Sequence, residues 1–600
     1  MRIAKVSIRN FRGIKACDLL LPAHAVLIGD NNVGKSTVLE AIDLCLGPDR
    51  LGRQPPVDEH DFFLGEYLTP EPAPGAQAPG GEAAVEVSAP QIVVEVTVTD
   101  LTEDQQDHFG DHLEFWDNVL SELYTGHADD LDEANVTPAI RVTFLGQYDE
   151  EEDDFTGRTV FSRSLVEDER PAPFTKRDKH ICGFLYLRTL RTGSRALSLE
   201  HGSLLDLILR LKELRPRMWE ETIGRLRDLD VAADPALGLS GILESVNKSL
   251  KKYVPREWGS DPHLRVSNLT REHLRKVITA FIATGNGDHA APYYRQGTGT
   301  INMLVLALLS QIAEDKQNVI FAMEEVEIAI PPYAQKRIVN ELRKLSAQSL
   351  VTSHSPYVLE EFEIDQTLIL SRTAGGTLSK ATVTLPDGIK LKRYRQEFRQ
   401  RFCEGLLASR ILVVEGATEA SSYTAVARRL AELEPANYAS LENLGICVID
   451  AGGESAVASL AKLYRDLGKR TFGACDKQTD GDRAAIEAQV EVLYMHDEHG
   501  LEDLVLAQTT VAALQRFAAL VTWPPHLVQK HVDPVANAAA ALPDLFAWNK
   551  GGWSLADFLA QCTVAEVPQF LRDACAGLKM LCEPAEADGD EPPEGQANAA

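Results

Sequence analysis

At 600 residues, with 44% hydrophobic and 25% charged positions, the chain has the composition of a soluble globular protein and the length of several domains. That excludes a wholly disordered, collagenous or disulfide-scaffold molecule. Lys and Arg number 60 against 89 Asp and Glu, a net charge of −29 that repels a polyanion on average, so any contact with nucleic acid has to be local.

The opening MRIAKVSIRNFRG alternates apolar and polar positions, and no apolar run approaches the length of about 18 residues that crosses a bilayer. Neither a signal peptide nor a membrane span is expected, and the cytoplasm is the expected location. The nine cysteines are scattered and never spaced C-x2-C, so they read as small buried apolar residues rather than a zinc site or disulfide framework.

Residues 1–48 read as strand, turn, strand, loop and helix, with apolar runs at Ile3–Ile8 and Ala25–Ile28 and helical periodicity from Lys35 to Leu46. Between strand and helix lies Gly29-Asp30-Asn31-Asn32-Val33-Gly34-Lys35-Ser36-Thr37, which satisfies G-x-x-x-x-G-K-[ST] in the context that pattern needs. Gly29 and Gly34 let backbone N–H groups face phosphates, Lys35 reaches the β and γ oxygens, and Ser36 binds Mg²⁺. Asn31, Asn32 and Thr37 complete this expected ATP-binding loop.

Residues 49–90 read as a flexible insertion, with prolines at 70, 72, 74, 79 and 90 among Gly, Ala and Glu. Strand alternation resumes at Ile92–Val98 and Ala139–Leu145, and the six carboxylates of Asp149–Asp154 suit a solvated loop. From 197 to 285 Leu, Arg and Glu recur at helical spacing, as in LLDLILRLKELRPRMWEETIGRL, and no repeat of fixed period is found.

Three further stretches carry chemistry between 292 and 372. Arg295-Gln296-Gly297-Thr298-Gly299-Thr300 precedes an apolar helix at Met303–Leu309 and offers hydroxyls and free amides at a helix start. The strand Val319–Met323 ends in Glu324 and Glu325, suited to holding Mg²⁺ and to orienting an attacking water respectively. Another strand, Leu350–Thr352, leads to His354, whose imidazole can contact a γ-phosphate. Taken singly, each is also an ordinary strand end or helix start.

In this order the motifs resemble the ABC-type ATPases of the SMC and RecF-like group over about 1–165 and 290–372. The resemblance implies an ATPase head in which Arg12, within Arg9–Gly13, approaches the nucleotide. It also implies that Gly297–Thr300 with Gly299 stands for the signature loop, that His354 is the switch histidine, and that two heads sandwich ATP, hence a homodimer. The chain departs from that group at Glu324-Glu325-Val326-Glu327, where Pro-Glu and a Leu-His-Pro usually follow.

After basic residues at Lys392–Arg401, residues 403–508 repeat a βαβ rhythm. Arg410–Val414 delivers Glu415 at a strand end with Glu419 four residues on; Gly445–Ile449 delivers Asp450; Thr471–Cys475 delivers Asp476, with Asp480 and Asp482 nearby. Adjacent parallel strands would converge these acids at one edge, where like charges call for a hard divalent cation, Mg²⁺ or Mn²⁺.

VVEGATE, the later strand-end Asp and Gly500-Leu501-Glu502-Asp503-Leu504 resemble the Toprim fold of the OLD-family (overcoming lysogenization defect) endonucleases. These join an N-terminal ABC ATPase to a C-terminal Toprim nuclease, an architecture that Gabija-type antiphage nucleases share. The resemblance implies metal ligands or a base at Glu415 and Glu419, metal ligands at Asp476 and Glu502, and Lys550 as the late lysine that stabilises charge on a scissile phosphate. Where the family has D-x-D this chain reads Asp476-Lys477-Gln478, so either Asp480 substitutes for the second acid or one metal binds weakly.

The expected fold is therefore α/β. An ABC-type ATPase head (1–165 and 291–390) carries a helical dimerisation insertion (166–290), followed by a Toprim domain (391–510), a helical C-terminal part (511–582) and a disordered acidic tail (583–600). The expected activity is ATP-regulated, metal-dependent DNA endonuclease, with phage defence implied by resemblance. The alternative is a nucleotide-dependent DNA clamp or sensor whose degenerate Toprim part scaffolds a helicase-like or other partner. A Toprim topoisomerase needs a nucleophilic Tyr, and none has a distinctive context. Basic residues at Leu187–Arg195 and Lys392–Arg401 could guide a DNA backbone or form the outer faces of helices.

Overall fold

The computed structural model describes residues 1–48, 56–68, 89–126, 135–167, 170–187, 198–199, 203–212, 215–227, 239–253, 270–283, 290–315, 319–328, 330–382, 399–549 and 554–583. They divide into two compact units. One comprises 1–27, 32–361 and 372–379, and the other 28–31, 362–371 and 380–600.

In the first unit the N-terminal alternation becomes β1 (Arg2–Phe11), whose alternate residues are buried. It pairs antiparallel with β2 (Ile14–Leu20) on one side. The strand β3 (His24–Ile28), apolar and buried from Ala25 on, follows, and β4 (Ile92–Thr99) pairs antiparallel with the other side of β1. The antiparallel ribbon continues through β5 (Glu114–Asp117), β6 (Glu122–Leu123), β7 (Val136–Asp149) and β8 (Asp154–Phe161). The carboxylate run 149–154 forms the β7–β8 hairpin tip, exposed from 150 to 154.

β9 (Phe184–Leu187) belongs to a parallel set. After a small hairpin of β10 (Phe281–Ala283) and β11 (Ala290–Pro292), this set gains β12 (Ile320–Glu324) and β13 (Gln348–Thr352), in the order β3-β13-β12-β9. Every residue of β12 and β13 is buried, as strands covered on both faces must be, and neither shows alternation: β12 is apolar up to Glu324, while β13 buries Gln348, Ser349 and Thr352 beside Leu350 and Val351. β14 (Thr367–Arg372) and β15 (Thr377–Thr382) follow, and Thr377–Leu378 pair in parallel with β2.

The helix α1 spans Lys35–Leu46 and buries Val38, Leu39, Ala41, Ile42, Leu44 and Leu46. At about 1.5–3 kcal/mol for each large aliphatic side chain removed from water, this face anchors the end of the phosphate loop. The helices Leu204–Leu211, Arg215–Arg227, Leu239–Tyr253 and Arg271–Val277 lie within 166–290, with Leu199, Trp219 and Leu274 as a small core of their own.

One stretch departs from expectation. Residues 56–68, inside the span read as flexible, form short 3-10 turns at Glu59–Asp61 and Phe63–Gly65, and Phe62 is buried with a bridge to Phe11. One aromatic and one carboxylate find partners on the β1–β2 turn, which the composition of the surrounding proline-rich sequence does not foretell. Residues 49–55 and 69–88 lie outside the described residues.

The second unit holds a four-stranded parallel sheet of β16 (Arg410–Val414), β17 (Ile446–Asp450), β18 (Arg470–Cys475) and β19 (Leu493–Met495), ordered β17-β16-β18-β19. Leu412 and Phe472 share one hydrophobic core with Tyr423 of the helix Ala417–Leu433, and with Phe546, Phe558 and Leu571 from the C-terminal helices. The expected helical part after 511 therefore shares the sheet's core. Eight of the nine cysteines are buried, with Cys447 partly so, and none is in a disulfide. Among the described residues no helix is long and apolar enough to cross a membrane.

Candidate active site

The phosphate loop has the backbone its glycines call for. Gly29 has φ 148° and Gly34 φ 119°, values that side chains strain to adopt, and Asn32 sits at φ 64°. Gly34 caps α1, whose first residue Lys35 is buried to 8% exposure; Asn31, Asn32 and Ser36 are exposed and Thr37 is half-buried. N–H groups at a helix start beside a lysine are the chemistry an anion site is built from.

Arg12 is held rather than loose. It has φ 50° on the β1–β2 turn, and its guanidinium pairs with Glu40 of α1 and, at 2.8 Å, with Asp61. Neither Glu40 (7% exposed) nor Asp61 (2%) was singled out from sequence.

At the end of β12, Glu324 is buried and accepts a hydrogen bond from the Tyr186 hydroxyl. Glu325 lies in the left-handed region, φ 45°, with its N–H donating to the Thr352 carbonyl at 2.9 Å. Glu327, noted from sequence only as a departure, receives the Ser353 hydroxyl at 2.9 Å and the His354 N–H at 2.6 Å, which fixes the turn carrying the exposed His354. Gly299 lies in the first turn of the helix Thr298–Asp315.

In the second unit the sheet register brings the acids to one edge. Val414 pairs with Asp450 and with Ala474, and Cys475 with Met495. Glu415, Asp476 and His496 therefore each stand one residue past a strand's C-terminal end, where open α/β sheets bind ligands. Glu419 follows on the first turn of the helix Ala417–Leu433, and Glu502 on the first turn of Leu501–Gln508.

Electrostatics ties these four carboxylates together. Burial pushes Glu419 up to about 7, and the charges of Asp476, Glu502 and Glu415 push the same way. Burial, then Glu415 and Asp476, likewise push the Cys475 thiol up to about 12. Two glycines clear the space: a Cβ on Gly416 would lie 2.9 Å from Glu419 Oε2, and one on Gly500 would lie 3.2 Å from Glu502 Oε2 and 4.0 Å from Asp476 Oδ2.

Gln478 and His496 complete the surroundings. Gln478 Nε2 donates to Glu415 Oε2 and to the Asp476 carbonyl, both at 3.3 Å, while its Oε1 is buried without a donor. His496 is 6% exposed, edge-on to Phe570, with Nε2 3.0 Å from Asp476 Oδ1. That approach is off the line a hydrogen bond requires, so Oδ1 and the His496 Nδ1 both remain buried without partners. His496 gave no signal in sequence beyond a lone histidine after a short strand.

The donor set suits a hard cation: carboxylates whose charges raise the cost of ionising Glu419, orphaned buried oxygens and glycine-cleared space. As they lie, no group of three or more His, Cys, Asp or Glu among the described residues closes round one point, so binding an ion requires side-chain rotation. Asp450 instead caps its own turn, accepting the Gly452 N–H at 2.7 Å, and Asp480 is exposed on the helix Asp480–Glu487 near Arg483. Lys550, and residues 188–195 and 392–398 of the two basic stretches, lie outside the described residues, while Arg399 and Arg401 lie in the helix Arg399–Leu407.

Comparison with known proteins gives two family matches. Residues 25–360 match the family model AAA_21, "AAA domain, putative AbiEii toxin, Type IV TA system", and residues 406–477 match the TOPRIM domain of the overcoming lysogenization defect protein-like family. The Old nuclease of Escherichia phage P2 is 20% identical over 501 residues, covering 79% of this chain and 77% of that protein. Among solved structures, the SMC head domain from Thermotoga maritima covers 64% of this chain and 100% of its own at 14% identity and a TM-score of 0.29. The C-terminal region of the Burkholderia pseudomallei OLD protein covers 29% and 99%, at 16% identity and a TM-score of 0.23.

Proposed function

We propose, for a chain that belongs to the AAA_21 family and, with its OLD-like Toprim domain, to the OLD family of ATPase–Toprim proteins, that it is an ATP-binding, divalent-metal-dependent DNA endonuclease. Nucleotide and divalent-metal use and a nuclease-type function follow from the paired domains; the DNA substrate and endonucleolytic cut are the further step. The observation that carries the reading is Glu419, buried and pushed to about 7 beside Asp476, Glu502 and Glu415. Such a group is poised to exchange its proton for a cation.

Glu415, Glu419, Asp476 and Glu502 would hold the ion. When bound, a Mg²⁺ or Mn²⁺ ion supplies Lewis-acid polarisation of a phosphodiester and a water acidified enough to attack it. Glu419, pushed up to about 7 in the metal-free chain, would give up its proton as the ion binds and join the other carboxylates as a ligand. Lys550 is the candidate cation for the scissile phosphate, and Asp480 a reserve ligand.

In the phosphate loop, Gly29, Asn31, Asn32, Gly34, Lys35 and Thr37 would cradle ATP and Ser36 its metal. Glu324 would support that metal and Glu325 orient water. Arg12 and His354 would approach the nucleotide, and Gly299 would serve in the signature loop of a homodimer, built through the helical insertion, in which two heads sandwich ATP. We take the ATPase to be 1–165 with 291–390, the dimerising insertion 166–290 and the nuclease 391–510, acting on DNA in the cytoplasm in phage defence.

Purified protein incubated with supercoiled plasmid and Mg²⁺ or Mn²⁺ tests this. Wild type is expected to nick, Glu415→Ala to abolish nicking, and Lys35→Ala to remove its dependence on ATP; nicking retained by Glu415→Ala defeats the proposal. One observation favours a second reading, a DNA clamp with an inactive Toprim part: the amide of Gln478 rests on Glu415 where an acid would carry charge. That reading predicts metal-independent DNA binding with no cleavage by any variant.

A further inference from the structure

We propose that this Toprim centre is built for one divalent cation, not two, with Gln478 and His496 as positioning residues that set a nitrogen against Glu415 and Asp476 respectively. The proposal deepens the metal-dependent reading above and rests on it.

The orientation of Gln478 is the first step. Its Nε2 meets two oxygens, Glu415 Oε2 and the backbone carbonyl of Asp476, each at 3.3 Å. Both are acceptors, so only the NH₂ end of the amide satisfies them, and the flip that would turn its oxygen toward Glu415 is disfavoured. An amide nitrogen has no lone pair to offer a cation. The side of Glu415 facing residue 478 is therefore occupied by a donor.

Two-metal hydrolysis needs ions roughly 3.5–4 Å apart, each with its own anionic ligands and at least one shared carboxylate. A second ion sharing Glu415 on that side would face N–H protons. The other carboxylates stand in cleared space: Asp476 Oδ2 and Glu502 Oε2 both face the bare Cα of Gly500, and Glu419 Oε2 faces that of Gly416. One ion can gather those three carboxylates with Glu415.

His496 is the independent second observation. It is a polar side chain more than nine-tenths buried, with Nδ1 unpartnered and Nε2 3.0 Å from Asp476 Oδ1, and Phe570 closes the ring's edge. A buried imidazole against one oxygen of a ligating carboxylate turns the other oxygen toward the ion, as partners just outside a metal shell do. Neither residue adds negative charge, so the centre keeps four carboxylates for a single dication.

Mn²⁺ titration of the nucleotide-free full-length chain, followed by calorimetry and by the loss of free-Mn²⁺ electron paramagnetic resonance signal, decides the matter without any assay of cleavage. Wild type is expected to take one ion per chain and Glu415→Ala none. Gln478→Asp is expected to take two. His496→Asn should keep the count at one with affinity lowered about ten- to hundredfold, and His496→Gln, whose amide nitrogen reaches the position of Nε2, should recover part of that loss. Two ions on wild type, or one on a folded Gln478→Asp chain, overturns the inference and leaves the nuclease reading standing. No ion on wild type overturns both. The wild-type count alone decides if a variant does not fold.

Discussion

Arg12 and Asp61 are joined twice: the guanidinium Nε donates to Asp61 Oδ1 at 2.8 Å, and the Arg12 backbone N–H donates to the Asp61 carbonyl at 2.8 Å. The second contact fixes a residue at φ 50°, and the first, with Glu40, fixes its side chain beside α1, one turn past Lys35. An arginine meant to meet a phosphate would otherwise lose rotamer freedom on binding, at about 2 kcal/mol. Here that entropy is lost on folding.

Asp61→Ala is therefore expected to lower both stability and nucleotide affinity. The carboxylate is 2% exposed and its partner about one-third exposed, so removing it should cost about 2–3 kcal/mol, below the full penalty for a wholly buried pair. Thermal unfolding with and without ATP reads both effects. An unchanged melting point together with unchanged ATP binding would show that the pair holds nothing.

Glu325 points to the opposite balance. A glutamate at φ 45° pays for its conformation, on the order of 1 kcal/mol, and a glycine there would not. Glu325→Gly is expected to raise the melting point while ATP hydrolysis falls by at least tenfold, since the carboxylate that orients water is gone. A variant that is less stable, or that hydrolyses ATP at the wild-type rate, removes Glu325 from the role.

What the sequence made legible was whatever lies close along the chain. The phosphate loop is contiguous, so strand, loop and α1 were all readable, and Lys35–Leu46 is the helix its periodicity predicts. The strand-end acids were also readable, because apolar runs ending in Glu415 and Asp476 announce parallel strands and register does the rest. Asp61 was not: it lies 49 residues from Arg12, and a carboxylate in a proline-rich neighbourhood looks like any solvated one. His496 follows a three-residue strand too short for a period, and its meaning comes from Asp476 across the sheet. Gln478 was visible as a departure, but which end of its amide faces Glu415 is a property of space alone.

Gly416 and Gly500 test whether the acids work as a group. Both have extended backbone that any residue can adopt, φ −148° and −162°, so alanine should fold there. The added Cβ would instead meet Glu419 Oε2 at 2.9 Å or Glu502 Oε2 at 3.2 Å. Gly416→Ala is expected to weaken Mn²⁺ binding at least tenfold with little change in melting point, and Gly500→Ala to do so less severely. Full affinity in both would mean that the ion, if any, is held elsewhere.

Glu419 sets a pH dependence whose direction is fixed. Its folded value of about 7 stands above the ordinary 4.5, so between those values the folded metal-free chain holds a proton that the unfolded chain releases. This group's cost to stability is fully present above about 7, shrinks as pH falls, and is gone below about 4.5. Metal binding runs the other way, because the ion must displace the proton: apparent Mn²⁺ affinity should hold steady above about pH 7 and fall up to tenfold per unit below it. Calorimetric titrations near pH 8 and pH 6, paired with melting points of the metal-free chain, check both signs. Glu419→Gln cannot titrate and should flatten both profiles. A wild-type affinity that is the same at the two pH values, or a difference in melting point from Glu419→Gln that does not narrow as the solution is acidified, would mean that Glu419 is not crowded by Asp476, Glu502 and Glu415 in the protein as it folds.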